Sequence, residues 1–147
     1  MLSISEITTI DKDTISFTLS GCNSSFANAL RRTILSEVET VSFNTDDYLT
    51  SDLKVVKNTS SLHNEFLLHR LGLIPINISE IDGFNPDKYQ FILKKENNGN
   101  TEIQVTTADF VVKNLETGEN EDTASFFPAN PFTKDNILIT ILKNNPT

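Results

Sequence analysis

The sequence predicts an α+β protein in which a β-hairpin and a helix precede a mainly β second part. Apolar residues alternate with polar ones over residues 15–19, which is the period of a half-buried strand. Over residues 26–38 the apolar side chains recur instead at helical spacing. Beyond residue 81, short apolar runs alternate with segments rich in Asn, Gly and Pro, which is typical of antiparallel strands joined by turns.

The opening residues predict a hairpin followed by an amphipathic helix. Isoleucines recur over residues 4–10, a turn is predicted at 11–13, and Gly21 ends the second strand. Polar residues 23–25 can cap the start of a helix that runs over about 25–37. Because a helix of this length is marginal alone, its apolar stripe has to pack against a sheet or another helix.

The second part of the sequence predicts one short helix and several strands. Strands are expected at 41–43 and 53–56, and a second capping cluster at 58–61 precedes a helix over 62–71. Gly72 is expected to stop this helix. Further strands are predicted at 89–93, 102–106, 109–112 and 137–142.

The composition excludes several classes of function. The chain has 147 residues and a formal net charge of −8, from 12 Lys and Arg against 20 Asp and Glu. This length suits one ordinary domain or two small ones, and the negative field repels the phosphates of nucleic acids. The single Cys22 excludes an internal disulfide and a cysteine-based metal site. No apolar run approaches the ~20 residues of a membrane span and no signal peptide is evident, so we expect an intracellular protein.

The residues His63, Glu65 and His69 form the pattern H-x-E-x-x-x-H. A zinc-protease helix instead carries its two histidines at i and i+4, on one face. Here the spacing places the two imidazoles roughly 240° apart around a helix. We therefore predict surface or interface histidines and no metal. A small hydrolase or metal enzyme built on these three residues is the less favoured alternative.

Two dense segments remain, at residues 28–38 and 58–76. The first couples the apolar stripe of the helix to Arg31 and Arg32, which can offer guanidinium groups to a partner carboxylate or carbonyl. A solvated pair of arginines is the alternative interpretation. The second segment is a capped helix, a glycine stop and an extended exit through Pro75, and taken alone it indicates only a helix–turn–strand unit of the core.

Together these segments resemble the alpha-like subunit family of DNA-directed RNA polymerase, which comprises the bacterial alpha subunit, its archaeal counterpart and the eukaryotic third-largest subunit. Residues 28–38 are similar to the family helix N-A-L-R-R-x-(aliphatic)₂-S-E-(aliphatic). Residues 58–75 are similar to N-T-S-x-L-x-(D/N)-E-x-(aliphatic)-x-H-R-L-G-L-I-P, with Asn64 where the family usually has Asp. The second motif favours the archaeal and eukaryotic branch, which large DNA viruses also carry.

The resemblance implies a divided fold. Residues 1–50 would form the first part of a dimerisation domain, and residues 51–147 an insertion domain, mainly β with one short helix near 61–71. The family's second half, which completes the dimerisation domain, is not in the sequence, so we expect a fragment, a chain that a second chain completes, or a reduced relative. The loop at 79–88 lacks the cysteine cluster with which some relatives bind zinc or an iron–sulfur cluster, so no metal and no cofactor is predicted in this chain.

The resemblance also implies a non-catalytic assembly platform for a multisubunit polymerase of DNA-templated transcription. The chain would pair with a smaller alpha-like subunit as a heterodimer and then dock the second-largest and the largest catalytic subunits. Little or no direct DNA contact and no membrane contact are expected. No catalytic residue is predicted in this chain, because the nucleotidyltransferase active site would lie on the large subunits. The expected location is the nucleus or cytoplasm, or the virion or viral factory for a viral chain.

The matched motif positions give the predicted interface. Contacts with partner subunits are expected from Phe26, Asn28, Leu30, Arg31, Arg32, Ile34, Glu65, His69 and Arg70. Gly72 and Pro75 are expected to be structural, with Gly72 supplying a backbone turn. A β-rich interaction module unrelated to polymerase stays open as the alternative, and it predicts that no large subunits co-purify with the chain.

Overall fold

The computed structural model describes residues 1–11, 14–46 and 50–144, and the chain divides into two compact units, Met1–Glu39 and Thr40–Thr147. The division lies after Glu39, whereas the resemblance places a domain boundary after residue 50; the family boundary itself stays a prediction. Most of the predicted turn at 11–13 lies outside the described residues.

The first unit opens with an antiparallel hairpin, as predicted. Strand β1 (Ser3–Asp11) pairs with β2 (Thr14–Ser20), and a bulge interrupts β1 near Glu6, whose φ is +54°. The bulge explains the three-residue spacing of the isoleucines. The extra residue shifts the alternation of the strand, so Ile4 and Ile7 share one face of the hairpin, whereas a regular strand would place them on opposite faces.

Helix α1 (Ser24–Ser36) follows the hairpin and confirms the predicted helix to within one residue at each end. Gly21 lies between β2 and α1 with φ +74°, a conformation that glycine adopts without strain. The side-chain oxygen of Asn23 then accepts a hydrogen bond of 2.9 Å from the Phe26 N–H, which satisfies one of the free amides at the helix start.

The second unit combines short helices with two small antiparallel sheets. Its α-helices and strands are α2 (Asn64–Gly72), β3 (Tyr89–Leu93), β4 (Ile103–Thr106), β5 (Phe110–Asn114), β6 (Asn120–Glu121), α3 (Thr123–Phe126) and β7 (Leu138–Leu142). In one sheet β5 lies between β3 and β6, and in the other β4 pairs with β7. The predicted helix and the four later strands are confirmed to within about two residues, whereas β6 and α3 are too short to show a periodic pattern.

Two predicted strands are wrong. Residues 41–43 contribute only an isolated bridge between Val41 and Ile76, and residues 53–56 form no strand. Both segments carry β-forming side chains, but a strand also needs a neighbour with free backbone groups. Instead these segments use side-chain packing, since Val41 and Leu53 lie against the core of the unit.

The predicted capping of α2 by residues 58–61 is also wrong. The N-cap is His63, and its side chain makes no capping hydrogen bond. The Asn58 side chain instead organises the preceding turn, because its amide donates to the Leu62 carbonyl at 2.8 Å and its oxygen accepts from the Ser60 N–H at 2.9 Å. The polar cluster therefore positions the chain that enters the helix and leaves the helix start itself uncapped.

The core of the second unit is aromatic. Phe110 stacks on Phe127 with ring centroids 5.0 Å apart, and Phe91 meets Phe43 edge-to-face at 5.2 Å. Burying side chains of this size stabilises a fold by about 1.5–3 kcal/mol each. The buried members of the cluster are Phe43, Leu71, Ile74, Ile76, Phe110, Val112, Phe126, Phe127 and Ile139.

An ion pair ties the end of β3 to the chain around β4. The Lys95 ammonium contacts both carboxylate oxygens of Asp109 at 2.7 and 2.8 Å and also donates to the Gln104 carbonyl at 2.7 Å. Asp109 accepts a further hydrogen bond of 2.8 Å from the Thr106 N–H. Desolvation raises the pKa of Asp109, but the Lys95 charge and these hydrogen bonds outweigh it and hold the pKa below its ordinary value of 3.8.

We expect Asp109→Asn to lower the free energy of unfolding by about 1–2 kcal/mol at pH 7, since a charged hydrogen bond is lost from a partly solvated site. Because the folded pKa lies below 3.8, the ionised carboxylate stabilises the fold above pH 3.8, and this contribution disappears as the pH falls through the folded pKa. Urea unfolding from pH 7 to pH 2 should show the two proteins converging. Glu96→Gln, which removes a charge from an exposed pair with Lys94, is the control. A gap that persists undiminished at pH 2 would contradict the assignment.

The end of α2 depends on Gly72 for space. Gly72 is the last residue of the helix, within one residue of the predicted end, and its φ lies outside the left-handed region that favours glycine. A Cβ at this position would collide with Oγ1 of Thr45, and the Phe43 carbonyl lies 3.4 Å away. The missing side chain therefore lets the segment at 42–46 pack against the C-terminal turn of α2.

We expect Gly72→Ala to destabilise the second unit by about 1–3 kcal/mol, because overpacking outweighs the roughly 1 kcal/mol gain in helix propensity. In the background of Thr45→Ala, which removes Oγ1, the same change should be neutral or stabilising. A urea double-mutant cycle measures this coupling. If Gly72→Ala alone stabilised the protein, or if Thr45→Ala brought no relief, the steric explanation would be wrong.

Candidate protein-interaction site

The apolar stripe of helix α1 is exposed to solvent. None of its residues, all of which the structure describes, is buried. Phe26 and Ile34 are 47% and 53% exposed, and Leu30 between them is half-buried. These are the predicted interface positions at i, i+4 and i+8, so they form one stripe along the helix. Exposed apolar stripes of this kind are uncommon on monomeric soluble proteins.

The hairpin of the first unit leaves its apolar face open as well. Across residues 1–11 and 14–39 no side chain is buried. The bulge at Glu6 gathers isoleucines onto the face that also carries Leu19, because Ile4 lies directly opposite Leu19 in the register. The isoleucines, Phe17 and Val38 are among the exposed large apolar residues of the unit. The first unit therefore has the residues of a core but no covered core.

The predicted arginine pair lies off the apolar stripe of α1. The Arg31 guanidinium donates a hydrogen bond of 2.9 Å to the side-chain oxygen of Asn28, one turn earlier. This contact orients the guanidinium along the helix surface. The Arg32 side chain makes no hydrogen bond or ion pair with any residue that the structure describes. The helix thus presents an apolar face and, beside it, a cationic face.

Sequence reasoning missed Leu35, which lies between the two arginines on the cationic face. It follows Arg31 by four positions and Arg32 by three, and it is 75% exposed. Arginine is enriched in protein interfaces, so an exposed apolar side chain between two guanidinium groups suits a protein contact. Its helical spacing relative to the arginines was the signal that could have found it.

The predicted site residues on α2 belong to the second unit and have different roles. Arg70 is used within the unit, because its Nε donates to the Ile139 carbonyl at 3.0 Å and its Nη2 to the Leu138 carbonyl at 2.8 Å. This guanidinium holds α2 against β7. Glu65 lies in the first turn, where a carboxylate suits the helix dipole, and His69 lies in the last turn.

The solvent-facing side of α2 carries a second unpredicted feature. Phe66 and Leu73 are 67% and 70% exposed and flank His69 at helical spacing. His69 also borders a shallow cleft of about 360 Å³, which Gly72, Leu73 and the segment at 42–46 line. Pro75 is exposed in the chain that leaves the helix. His69 therefore lies on a mixed polar and apolar surface that suits a protein contact.

The histidines of α2 are not arranged as a metal centre. His63 is the N-cap and His69 lies in the last turn, so they stand at opposite ends of the helix. Within the described parts of the chain, no group of three or more His, Cys, Asp and Glu side chains could hold a metal ion. Cys22, which lies between the hairpin and α1, is half-buried and unpaired.

In the portion of the chain that the structure covers, every helix is too short or too polar to cross a bilayer.

Comparison with known proteins agrees with the two motifs. A family model described as the RNA polymerase Rpb3/Rpb11 dimerisation domain matches residues 16–138. DNA-directed RNA polymerase subunit Rpo3 of Pyrococcus furiosus is 38% identical over 92 residues, which is 60% of this chain and 33% of that protein. DNA-directed RNA polymerase II subunit RPB3 of Schizosaccharomyces pombe is 38% identical over 76 residues, 52% of this chain and 23% of that protein.

A protein of Tetrahymena thermophila named conjugation stage-specific protein is 42% identical over 79 residues, 54% of this chain and 23% of that protein. The chain therefore spans between 23% and 33% of the length of these relatives. The family model reaches across α1, α2 and the strands β3 to β6, and covers most of the chain. We conclude that the chain belongs to the RNA polymerase Rpb3/Rpb11 family, the alpha-like polymerase subunits whose motifs it carries.

Proposed function

We propose that the chain is a non-catalytic assembly subunit of a multisubunit DNA-directed RNA polymerase. In this proposal the first unit pairs with a smaller alpha-like subunit, and the cationic face of α1 docks the second-largest and largest subunits. The observation that carries the proposal is the open apolar surface of the first unit, and membership of the RNA polymerase Rpb3/Rpb11 family supports it.

The first unit lacks the apolar burial that normally stabilises a fold. Ordering a residue costs about 1–2 kcal/mol in backbone entropy, and burial of apolar surface is the main term that offsets it. The first unit buries no side chain across its described residues, so it lacks that term. A second polypeptide that covers the α1 stripe and the hairpin face would supply it, at about 1.5–3 kcal/mol for each large side chain buried.

The arginines account for a second and different contact. A guanidinium carries its charge at any physiological pH and binds carboxylates or carbonyls through two parallel hydrogen bonds. Arg31 is already oriented by Asn28, which reduces the entropy lost on binding. We assign the arginines to the large subunits and the apolar stripe to the smaller alpha-like subunit, because one helix then contacts two partners on two faces.

In this proposal the catalytic site of transcription lies on other subunits. The net charge of −8 opposes direct DNA binding by this chain, and in its described parts no group of three or more His, Cys, Asp and Glu side chains could hold a metal ion. The chain would act where its polymerase acts, in the nucleus, the cytoplasm or a viral factory, and would need no cofactor of its own.

We expect Arg31→Ala/Arg32→Ala to abolish recovery of the two large subunits while the smaller alpha-like subunit is still recovered. Truncating a buried charged anchor commonly costs ~2–5 kcal/mol, which is roughly 30-fold to several thousandfold in affinity. Ile34→Asp should instead lose the smaller subunit, because a carboxylate would enter the apolar contact. Affinity purification of the tagged chain with quantitative mass spectrometry measures both.

The matched control is Lys134→Ala/Lys143→Ala, which removes two exposed cations from the second unit. This variant should recover the wild-type set of subunits. Undiminished recovery of the large subunits with the double arginine variant would remove the arginines from the interface. Absence of any polymerase subunit with the wild-type chain would refute the proposed function and favour an unrelated interaction module.

A further inference from the structure

The outer edge of β3 is an unpaired strand edge. β3 lies at the side of its sheet, with β5 on one side only. The Leu115 N–H donates to the Lys88 carbonyl opposite it, and hydrogen-bonded pairs alternate along an antiparallel ladder. Gln90 and Ile92 therefore direct their backbone groups to β5. Tyr89, Phe91 and Leu93 direct theirs to the open side.

The backbone groups on this side belong to Tyr89, Phe91 and Leu93. The Tyr89 N–H is taken by the Pro86 carbonyl. The Tyr89 carbonyl and both backbone groups of Phe91 and Leu93 have no hydrogen-bond partner among the residues that the structure describes. These groups form the row of donors and acceptors onto which an incoming strand can pair.

The core of the unit is also incompletely covered at this edge. The side chains of Tyr89, Phe91 and Leu93 point to the inner face, where they pack against the buried cluster but stay only partly buried. An added strand with apolar residues at alternate positions would lie beside them and complete their burial. The edge therefore offers apolar contact as well as hydrogen bonds.

In the described part of this unit, the other outer strands are very short or have carbonyls that accept hydrogen bonds from basic side chains, and β3 has neither feature. Arg70 covers the Leu138 and Ile139 carbonyls of β7, and the Lys95 ammonium takes the Gln104 carbonyl of β4. β6 has only two residues, one of them acidic. β3 instead reads Tyr-Gln-Phe-Ile-Leu, with no charge, no proline and an unbroken register with β5. Natural sheets guard their edges with such devices, so an unguarded edge indicates a partner strand.

We propose that the free edge of β3 is a strand-addition site for another protein of the assembled polymerase, a proposal that rests on the proposed function. The occupant is a β-strand that is apolar at alternate positions, from a partner of neutral or basic surface. The charge of the partner follows from the net charge of −8 on this chain, which repels an acidic partner and a second copy alike.

The test is amide hydrogen exchange at single-residue resolution, on the free chain and on the purified polymerase. In the free chain the Gln90 and Ile92 amides should be protected and the Phe91 and Leu93 amides should exchange fast. In the polymerase the Phe91 and Leu93 amides should slow by about a hundredfold or more. The Gln90 and Ile92 amides serve as the internal control, because β5 already binds them.

A matched pair of variants separates the edge from the rest of the sheet. Ile92 and Val111 lie opposite each other on the outer face and are 42% and 45% exposed. Ile92→Lys puts a charge on the edge strand and should reduce the protection gained by Phe91 and Leu93 at least tenfold. Val111→Lys puts the same charge on the inner strand and should leave it unchanged.

The outcomes distinguish this inference from the proposed function. A polymerase that assembles while Phe91 and Leu93 still exchange fast would overturn the strand-addition site and leave the assembly role intact. Protection that grows with the concentration of the free chain would assign the edge to a second copy and also overturn the proposal. A chain that joins no polymerase would refute the proposed function, and this inference with it.

Discussion

The first unit has to place its apolar side chains against something that its described residues do not provide. The hairpin and α1 are locally well specified, by a bulge, a capping asparagine and a glycine in the left-handed region. Local order of this kind fixes shape without covering surface. The unit is therefore a shaped apolar surface, and in the proposed platform the smaller alpha-like subunit turns that surface into a core.

The second unit, in contrast, buries a core of its own. Its phenylalanine cluster is enclosed on most sides by side chains from distant positions in the sequence. Arg70 is the clearest case, because a residue of the family motif is used inside the unit as a clamp between α2 and β7. Motif residues can thus hold a docking surface in place without touching the partner. Each predicted interface residue needs its own test for this reason.

Periodicity was sufficient to predict the long elements, and tertiary context decided the rest. The hairpin, α1, α2 and the four later strands follow from alternation or helical spacing, and the family follows from two motifs. The predicted strand at 53–56 is wrong because a sequence of β-forming residues becomes a strand only beside another strand. The sequence placed Gly72 at the end of α2, but its need for space comes from Thr45, which is distant in sequence. Helical spacing gave the position of Leu35 between the arginines, but the exposure of Leu35 and Phe66 is a property of the folded chain.

The Arg70 clamp also has a consequence for biosynthesis. Its acceptors are carbonyls 68 and 69 positions further along the chain. A ribosome releases residues in order, so α2 emerges long before β7 exists to hold it. Contacts between such distant positions form late and slow the completion of a fold. The α2 surface consequently reaches its final position only once β7 has emerged from the ribosome.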